Sequence, residues 1–282
     1  MSERHRPRIG INPTSIGVSP RWWLRTAGWL EQAGFDGIYC WDHFLSRGEA
    51  NRAVLECWTT LAGAAAVTER ATLGSFVTNV MNRHPSVLAR MTANVAAIAP
   101  GRLDVGIGIG GFPEEMAMLG IDFPPPAERA ERLEEAVAIL RSLWSGGPVT
   151  YEGRWTRLSD AVARPAPDPA PRIVIGGETP AGARLAARIG DAWTTNEREL
   201  RRDLPVFEEA LAAAGRRRED VHVIVAVDLL SLEEADRDPL LVDMVGAAET
   251  WREAGADELI LNWVRRDRIG EVLAAAERAS LV

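Results

Sequence analysis

The amino-acid sequence predicts an α/β fold, a (β/α)8 TIM barrel in which eight parallel strands alternate with helices. The first observation behind this prediction is rhythm: strand-like segments with a period of two alternate eight times with segments of helical period. Alternation of this kind requires a parallel sheet, and eight repeats favour closure into a barrel. The second is length, because 282 residues suit one barrel of about 250 residues. We therefore expect residues 1–282 to form a single domain, with a doubly wound open sheet as the alternative architecture.

The segment 71–111 shows the βαβ pattern most clearly. It comprises strand 73–78, a polar loop at 79–84, a helix opened by Pro85 and ended at Pro100-Gly101, and strand 103–109. Proline is favoured at a first helical position. In the second strand the apolar residues face one way, whereas Asp104, Gly106 and Gly108 face the other. Glycine at alternate positions leaves room for the close approach of another backbone or a ligand.

The other elements are predicted from the same strand and helix periods, with glycine and proline marking their ends. Upstream of this segment, the predicted elements are strand 8–12, helix 21–33, strand 35–41 and helix 55–67. Downstream, they are a loop at 112–126 with a short helical turn at 114–118, helix 127–144, a hairpin at 146–158, a proline-rich surface connector at 164–171, strand 172–175, a helix opened by Pro180, strand 191–195, helix 198–214, strand 221–229, a helix around 240–254, strand 258–261 and helix 268–279.

The composition argues against several classes of function. A net charge of −8 and a pI near 5.2 argue against nucleic acid or an anionic membrane as the main partner. The chain has no lysine, which excludes Schiff-base chemistry and a P-loop. Two cysteines provide neither a disulfide framework nor a CxxC metal motif, and no His, Asp and Glu cluster has metal-ligand spacing. No stretch approaches the length of a membrane span and no apolar segment near the N-terminus resembles a signal peptide, so we expect a cytoplasmic protein.

Barrel active sites lie at the C-terminal ends of the strands, and that rule selects the candidate residues. They are Asn12, the run Trp41-Asp42-His43, Thr78 with Asn79, Gly108 to Gly111, Gly176 to Thr179, the run 193–196, and Asn262 with Trp263. This set is rich in tryptophan, asparagine and glycine and poor in carboxylates, which suits a bound planar cofactor better than hydrolysis. Trp41, Trp193 and Trp263 either wall a substrate pocket or pack in the core.

Among the four histidines, His43 is the candidate for proton transfer. It follows Asp42 at the end of a strand, and histidine is the side chain that titrates near neutral pH. The alternative is a loop histidine hydrogen-bonded to backbone. His84 precedes Pro85 and is expected at a helix start, and His222 opens a strand at the opposite face of the barrel.

Two glycine-rich strand exits offer backbone N–H groups to an anion. The first spans Gly108 to Gly111. The second, Gly176 to Thr179, has the better geometry because it runs directly into a helix N-terminus, where amides and the helix dipole favour a phosphate. The alternative for each is a tight strand exit without a ligand, with Thr179 as an ordinary helix cap.

Five stretches, spread over most of the chain, carry a family resemblance. They are AGFDGIYCWDHF (33–44), LGSFVTNVMNRHPSVLARM (73–91), GRLDVGIGIGG (101–111), FPPPAERAERLEEAVAILRSLW (123–144) and IVIGGETPAGARLAARIGDAW (173–193). Together they resemble the bacterial luciferase-like monooxygenase family, particularly its oxidoreductases that depend on the deazaflavin coenzyme F420.

The resemblance implies a barrel with an insertion between strands 4 and 5, here roughly residues 112–171. It also implies a bulged third strand with a non-proline cis peptide behind the cofactor ring, matching the peptide between Ser75 and Phe76. The catalytic residue would be His43, and a homodimer is the suggested oligomeric state. The implied cofactor-binding residues are Asp42, Ser75, Phe76, Val77, Thr78, Gly108, Ile109, Gly110, Gly176, Gly177, Glu178 and Thr179.

The chain departs from the family's sugar-phosphate dehydrogenases at one position. Those enzymes carry a glutamate acid directly after the fourth-strand glycines, whereas Gly111 stands there in this chain and Glu114 comes later. The departure argues against sugar-phosphate oxidation.

The leading hypothesis is an F420-dependent oxidoreductase that transfers a hydride between the deazaflavin C5 and a small organic substrate. An FMN-dependent monooxygenase that uses reduced flavin and oxygen is the alternative enzyme, and a non-catalytic flavin-binding relative is the third. The Asp42-His43 pair after the second strand and the short chain favour the F420 enzyme.

Overall fold

The computed structural model describes residues 6–46, 52–229 and 240–281. Its strands are β1 Arg8–Pro13, β2 Gly37–Cys40, β3 Thr72–Ser75, β4 Thr78–Asn79, β5 Leu103–Gly108, β6 Val149–Glu152, β7 Arg157–Ala161, β8 Arg172–Gly176, β9 Ala192–Asn196, β10 His222–Asp228 and β11 Glu258–Val264. Its helices are α1 Pro20–Gln32, α2 Cys57–Ala65, α3 Pro85–Ile98, α4 Pro113–Leu119, α5 Pro126–Trp144, α6 Pro180–Ile189, α7 Leu200–Ala213, α8 Met244–Glu253 and α9 Ile269–Arg278. Within these ranges, no helix combines the length and the apolar character that crossing a bilayer requires.

The parallel strands form one closed sheet. Their order is β3-β2-β1-β11-β10-β9-β8-β5-β4, and β3 also pairs with β5, which closes the circle. β3 and β4 are the two halves of the third barrel strand, separated by Phe76 and Val77. Counted in this way, the described part of the chain forms eight barrel strands, so the predicted (β/α)8 barrel is confirmed and the open doubly wound sheet is wrong.

The non-proline cis peptide of the third barrel strand lies one peptide later than predicted. Ser75 still pairs with Cys40 of β2, and the N–H of Phe76 donates to the Cys40 carbonyl oxygen at 2.9 Å. The non-proline cis peptide joins Phe76 to Val77. The prediction of a cis bond between Ser75 and Phe76 is therefore wrong by one residue, because the ladder with β2 extends through Ser75.

The ring of Tyr39, which is 1% exposed, fills the middle of the barrel. A Cβ atom at Gly10 would lie 2.8 Å from this ring, and one at Gly74 would lie 2.9 Å from it. Glycine at these strand positions therefore makes room for the aromatic side chain. The apolar residues that pack with Tyr39 in the same inner layer are Val174, Ala192, Ile224 and Ile260.

The floor of the barrel, at the N-terminal ends of the strands, is a network of buried charges. Glu258 lies 3.3 Å from Arg8 and 3.7 Å from Arg172, and the Tyr39 hydroxyl donates to it at 2.9 Å. Burial alone would raise the pKa of Glu258, but His222 and the two arginines lower it to about 2. His222 thus lies at the face opposite the predicted site, as expected from its place at the start of β10.

Between the fourth and fifth barrel strands, β5 and β8, the chain inserts α4, α5 and the antiparallel hairpin of β6 and β7. α4 occupies a segment for which the sequence predicts only a short helical turn in a loop. Gly120 ends this helix with a left-handed backbone, and Met116 is fully buried. The insertion matters for function because α4 packs at the mouth of the barrel.

The helix predicted around 240–254 is interrupted at Asp243. The Asp243 side chain accepts a hydrogen bond from Gly246 N–H at 2.8 Å and so caps α8. Aspartate is among the preferred N-cap residues, which explains why the helix restarts there.

Candidate active site

The C-terminal ends of the barrel strands form a mouth where the structure brings predicted site residues together. Trp41, Asp42 and His43 follow the end of β2 directly. Asn12 of β1 donates through its side-chain amide to Asn262 of the adjacent β11, at 2.9 Å. These residues come from three strands that are neighbours in the barrel although β11 is far from the others in the chain.

The carboxylate of Asp42 is buried and binds Arg83. Both terminal nitrogens of Arg83 contact it, at 2.6 and 2.9 Å, and Arg83 also binds Glu56 at 2.5 Å. Burial lowers the pKa of Arg83, but the two carboxylates outweigh burial and raise it above its usual value. Arg83 therefore ties the end of β2 to the start of α2, where Glu56 is the N-cap.

His43 has a different carboxylate partner, Glu115 of α4. Its Nδ1 lies 2.9 Å from Glu115 Oε2, and the second carboxylate oxygen accepts from the N–H groups of Phe44 and Leu45. Burial alone would raise the pKa of Glu115, but the hydrogen bonds with His43 and the two N–H groups outweigh burial and lower it. Glu115 is therefore an ionised carboxylate at neutral pH although it is only 2% exposed.

Aromatic rings surround the imidazole of His43. The ring centroid of Trp41 lies 3.8 Å from that of His43, and the Phe112 centroid lies 4.2 Å from it. Trp41 also meets Trp263 edge-on at 4.4 Å. The His43 side chain remains 12% exposed, so it is enclosed by apolar rings and still reachable. A histidine held in this way can exchange a proton with a bound molecule.

The glycines of β5 and β8 accommodate the bulge of the third strand. A Cβ atom at Gly106 would lie 1.9 Å from the Ser75 carbonyl oxygen. Cβ atoms at Gly108 and Gly176 would lie 3.1 and 2.7 Å from the Val77 side chain. The space beside these glycines, which the sequence predicts for a backbone or a ligand, is therefore occupied by Ser75 to Val77.

The remaining bulge residues pack on both sides of the strand. Phe76 contacts Tyr39 with ring centroids 5.5 Å apart. Thr78 is fully buried and accepts a hydrogen bond from Trp58 Nε1 at 3.1 Å. These contacts fix the bulge from inside the barrel and from the helix layer.

The first glycine-rich exit lies against α4. Gly110 has a left-handed backbone, φ 76°, and a Cβ atom there would lie 2.5 Å from the side chain of Asn79. Asn79 contacts the Met116 sulfur at 3.4 Å, and Ile109 packs against the apolar core. The exit, the end of β4 and α4 therefore form one packed unit.

The second glycine-rich exit joins β8 to α6. Gly177 N–H donates to Thr194 O at 3.0 Å, and a Cβ atom at Gly177 would lie 2.8 Å from Gly182 Cα. Thr179 caps α6 by accepting from Gly182 N–H at 3.1 Å. Among the predicted phosphate-binding groups, Glu178 and Thr179 keep N–H groups that do not bond to another described backbone group.

Four carboxylate side chains of the described residues lie at or beside this second exit. Burial raises the pKa of Glu178, and repulsion from Glu199 and Asp228 adds to the effect. The pKa of Glu197 is also raised, first by burial and also by Asp228. The Oε2 atoms of Glu197 and Glu199 are buried and have no hydrogen-bond partner among the residues that the structure describes. This rim of the mouth, formed by Glu178, Glu197, Glu199 and Asp228, is therefore electronegative and is called the acidic rim below.

Within the described part of the chain, two buried asparagine oxygens at the mouth have no hydrogen-bond partner, Asn12 Oδ1 and Asn82 Oδ1. Asn82 lies beside Asp42, because its amide donates to the Asp42 carbonyl oxygen at 3.4 Å. Buried acceptors of this kind are normally satisfied by ordered water or by a ligand. The mouth is therefore suited to a ligand that presents N–H or O–H groups.

Two candidates from the sequence have structural roles. His84 is the N-cap of α3, where its Nδ1 accepts from Ser86 N–H at 3.3 Å. Trp193 is fully buried, stacks on Phe207 with centroids 4.7 Å apart, and donates to Gly177 O at 2.9 Å. His84 thus lies at a helix start, as predicted, and Trp193 belongs to the core rather than to a pocket wall.

Sequence reasoning missed Glu115 and Arg83. Glu115 stands next to Glu114, which the sequence singled out, but only the structure shows which of the two faces the mouth: Glu114 is exposed and Glu115 is buried. The available signal was the position of Glu115, an acidic residue next to the apolar residues of the predicted helical turn. Arg83 gave no signal beyond its place in a polar loop.

The chain has relatives among known proteins. The family described as luciferase-like monooxygenase matches residues 5–269. An F420-dependent glucose-6-phosphate dehydrogenase of Microbacterium testaceum is 34% identical over 230 residues, which cover 78% of this chain and 67% of the relative. A protein of the same name from Beutenbergia cavernae is 31% identical over 286 residues, 97% of this chain and 82% of the relative. The chain belongs to the luciferase-like monooxygenase family, which confirms the resemblance seen in the sequence.

A solved structure has the same fold. An F420-dependent secondary alcohol dehydrogenase, in complex with an F420-acetone adduct, superposes with a TM-score of 0.83 and 22% sequence identity. The match covers 97% of this chain and 100% of that one. At this identity the likeness concerns the barrel fold.

Proposed function

We propose that this chain is a coenzyme F420-dependent oxidoreductase in which His43 exchanges a proton while a hydride moves between cofactor and substrate. The observation that carries the proposal is the pairing of His43 Nδ1 with the ionised Glu115, at 2.9 Å, inside an aromatic mouth. Relatives named as F420-dependent dehydrogenases, at 31 to 38% identity, support the cofactor and the oxidoreductase class. The chain is accordingly an enzyme of the dehydrogenase type.

The mouth fits a deazaflavin on chemical grounds. The unpartnered oxygens of Asn12 and Asn82 suit the ring N–H and side-chain hydroxyl groups of such a cofactor. When bound, the cofactor supplies a ring carbon that takes or gives a hydride. The residues expected to hold it are Asp42, the bulge Ser75, Phe76, Val77 and Thr78, and the two exits with Gly108, Ile109, Gly110, Gly176, Gly177, Glu178 and Thr179.

In this proposal His43 handles the proton of the substrate. In the direction of alcohol oxidation, His43 Nε2 would take the O–H proton of the alcohol, while a bound deazaflavin would supply the acceptor for the hydride of the C–H bond. The rings of Trp41 and Phe112 pack against the imidazole and leave 12% of the His43 side chain exposed to a substrate. Proton transfer of this kind contributes typically ~10²–10⁴ in rate.

We further propose that the substrate is a small organic alcohol or carbonyl compound without a phosphate group. Gly111 occupies the position where the sugar-phosphate dehydrogenases carry an acid. The acidic rim would repel a second phosphate beside that of the cofactor. Trp41 and Trp263 offer an apolar wall that suits an uncharged substrate.

The test combines binding and turnover under anaerobic conditions. Calorimetry with F420 and with FMN measures both affinities, and a panel of uncharged alcohols and glucose-6-phosphate is followed through the absorbance of F420. We expect F420 to bind more tightly than FMN and an uncharged alcohol to reduce it. Micromolar binding of FMN without binding of F420 would reverse the assignment.

A homodimer and a cytoplasmic location complete the proposal. The family resemblance supports the dimer, and sedimentation of the purified protein tests it. The cytoplasm is supported by two cysteines, Cys40 and Cys57, that are both free and buried.

A further inference from the structure

We propose that Glu115 is the positioning residue that sets the tautomer of His43 and thereby makes its Nε2 atom the proton acceptor. This inference rests on the proposed function, since it explains how the imidazole is kept in the reactive form. The expected neighbour in sequence, Asp42, is engaged with Arg83 at 2.6 and 2.9 Å. The carboxylate that reaches the imidazole comes instead from the insertion, 72 residues further along the chain.

The contact with Glu115 determines which ring nitrogen of His43 carries the proton. An ionised carboxylate has only acceptor sites, and a neutral imidazole has one N–H donor and one acceptor nitrogen. Because Nδ1 lies 2.9 Å from Glu115 Oε2, the neutral ring carries its proton on Nδ1. Nε2 then has a free lone pair, which is the requirement for a general base.

The same carboxylate also fixes the position of the ring. Its other oxygen accepts from Phe44 N–H and from Leu45 N–H, the latter at 3.0 Å. Glu115 thus holds both the side chain of His43 and the backbone that follows it. Free rotation of the imidazole or a shift of this loop would break contacts with a carboxylate that is 2% exposed.

The helix that carries Glu115 is itself fixed to the mouth. Met116, the next residue, is fully buried and contacts Asn79 at 3.4 Å. Phe112, which directly precedes α4, packs against His43 with centroids 4.2 Å apart. The partner of the imidazole therefore comes from a helix whose buried residues, Glu115 and Met116, pack at the mouth.

Replacing Glu115 by glutamine separates tautomer control from simple packing. The glutamine carbonyl oxygen can keep the two backbone N–H bonds, which places its NH2 group against His43 Nδ1. The opposite orientation would set that NH2 group against two N–H donors. Nδ1 must then accept, so the imidazole proton moves to Nε2 and the base is lost. A purely structural role for Glu115 predicts instead that the isosteric glutamine behaves like the wild type.

The first readout is spectroscopic and uses the protein without cofactor or substrate. Nitrogen-15 NMR of the histidine side chains, assigned with a His43→Gln variant, reports which ring nitrogen is protonated at mildly alkaline pH. We expect the Nδ1–H form of His43 in the wild type and in Glu114→Gln, an exposed neighbouring control. We expect the Nε2–H form in Glu115→Gln. The same tautomer in wild type and Glu115→Gln would overturn the inference whatever the enzyme's substrate proves to be.

The second readout is kinetic. With an oxidisable alcohol, Glu115→Gln should lower kcat by roughly 10²–10⁴-fold and leave the affinity for F420 within a few-fold of the wild type. In a His43→Ala background the Glu115→Gln change should have little further effect, because the residue acts through the imidazole. Additive losses in the double variant would contradict positioning, whereas an active His43→Ala protein would contradict the proposed function itself.

Discussion

At the scale of single residues, charge at the second glycine-rich exit bears on the affinity for an anionic cofactor. The exit presents the N–H groups of Glu178 and Thr179 at the start of α6, which favours an anion. The carboxylates of the acidic rim oppose it, since burial first and then repulsion from Glu199 and Asp228 raise the pKa of Glu178. A cofactor phosphate bound here would feel Glu178 most directly, since its own backbone forms the exit.

We therefore predict that Glu178→Gln tightens binding of F420 by about three- to tenfold, because a repulsion of about 1 kcal/mol is removed. Calorimetry at low and high salt measures the effect, which should shrink as salt increases. The matched control is Glu152→Gln in the insertion hairpin, where the side chain is 72% exposed. Equal affinities for wild type and both variants would place the phosphate elsewhere.

At the scale of elements, glycine residues in β1, β2 and β3 allow these strands to pack closely against the Tyr39 ring. A Cβ atom at Gly74 would meet the Tyr39 ring at 2.9 Å and the Asp104 side chain at 3.0 Å. By contrast, a Cβ atom at Gly28 of α1 would meet no neighbouring group within 4 Å. The two glycines thus differ in the space around them.

We predict that Gly74→Ala lowers the free energy of unfolding by about 1–3 kcal/mol, the usual cost of overpacking. Gly28→Ala should raise it by about 0.5–1 kcal/mol, because alanine is the better helix former. Urea unfolding of both variants provides the measurement. A Gly74→Ala protein as stable as the wild type would mean that Tyr39 is not confined by β3.

Single elements were largely predictable because their signals are local. Pro85 and Pro180 open α3 and α6 as the sequence indicates, and alternation identifies β5. Two helices differ from the prediction. α8 begins later because the Asp243 side chain caps it, and α4 is a full helix where the sequence predicts only a short helical turn. The position of the cis peptide depended on the register of β3 with β2, which local sequence does not encode.

At the scale of the whole molecule, the buried charges of the barrel floor link stability to pH. The pKa of Glu258 is about 2 in the folded protein, compared with about 4.3 in an unfolded chain. A depressed carboxyl pKa contributes stability that is fully present above the unfolded value. That stability is lost as the pH falls through the window from about 4.3 toward 2.

We predict that the free energy of unfolding of the wild type falls across this acidic window, with about 3 kcal/mol of the loss due to Glu258. Glu258→Gln should be less stable at pH 7, since Arg8 and Arg172 lose their partner, and should show a shallower dependence on pH below about 4.5. Urea titrations between pH 2 and pH 7 compare the two proteins. Parallel curves would show that Glu258 does not titrate in this way.

The architecture of the barrel was predictable, whereas the pairing of side chains at its mouth was not. Asp42 and His43 are neighbours in sequence, and their strand places both at the mouth. Their partners lie 41 residues away in Arg83 and 72 residues away in Glu115. Such contacts depend on how loops and inserted helices pack, and hydrophobic periodicity carries no information about them. The sequence accordingly located His43 at the mouth and missed the residue that holds it.

We propose that His43 exchanges the proton during F420-dependent hydride transfer. The most direct test is the turnover of His43→Ala with an alcohol substrate, measured together with its affinity for F420. The control is His84→Ala, because His84 caps α3 with its Nδ1 and is exposed. We predict that His43→Ala binds F420 within a few-fold of the wild type and loses roughly 10²–10⁴ in kcat, while His84→Ala keeps most of its activity. Normal turnover by His43→Ala, with or without loss of activity in His84→Ala, would contradict the account.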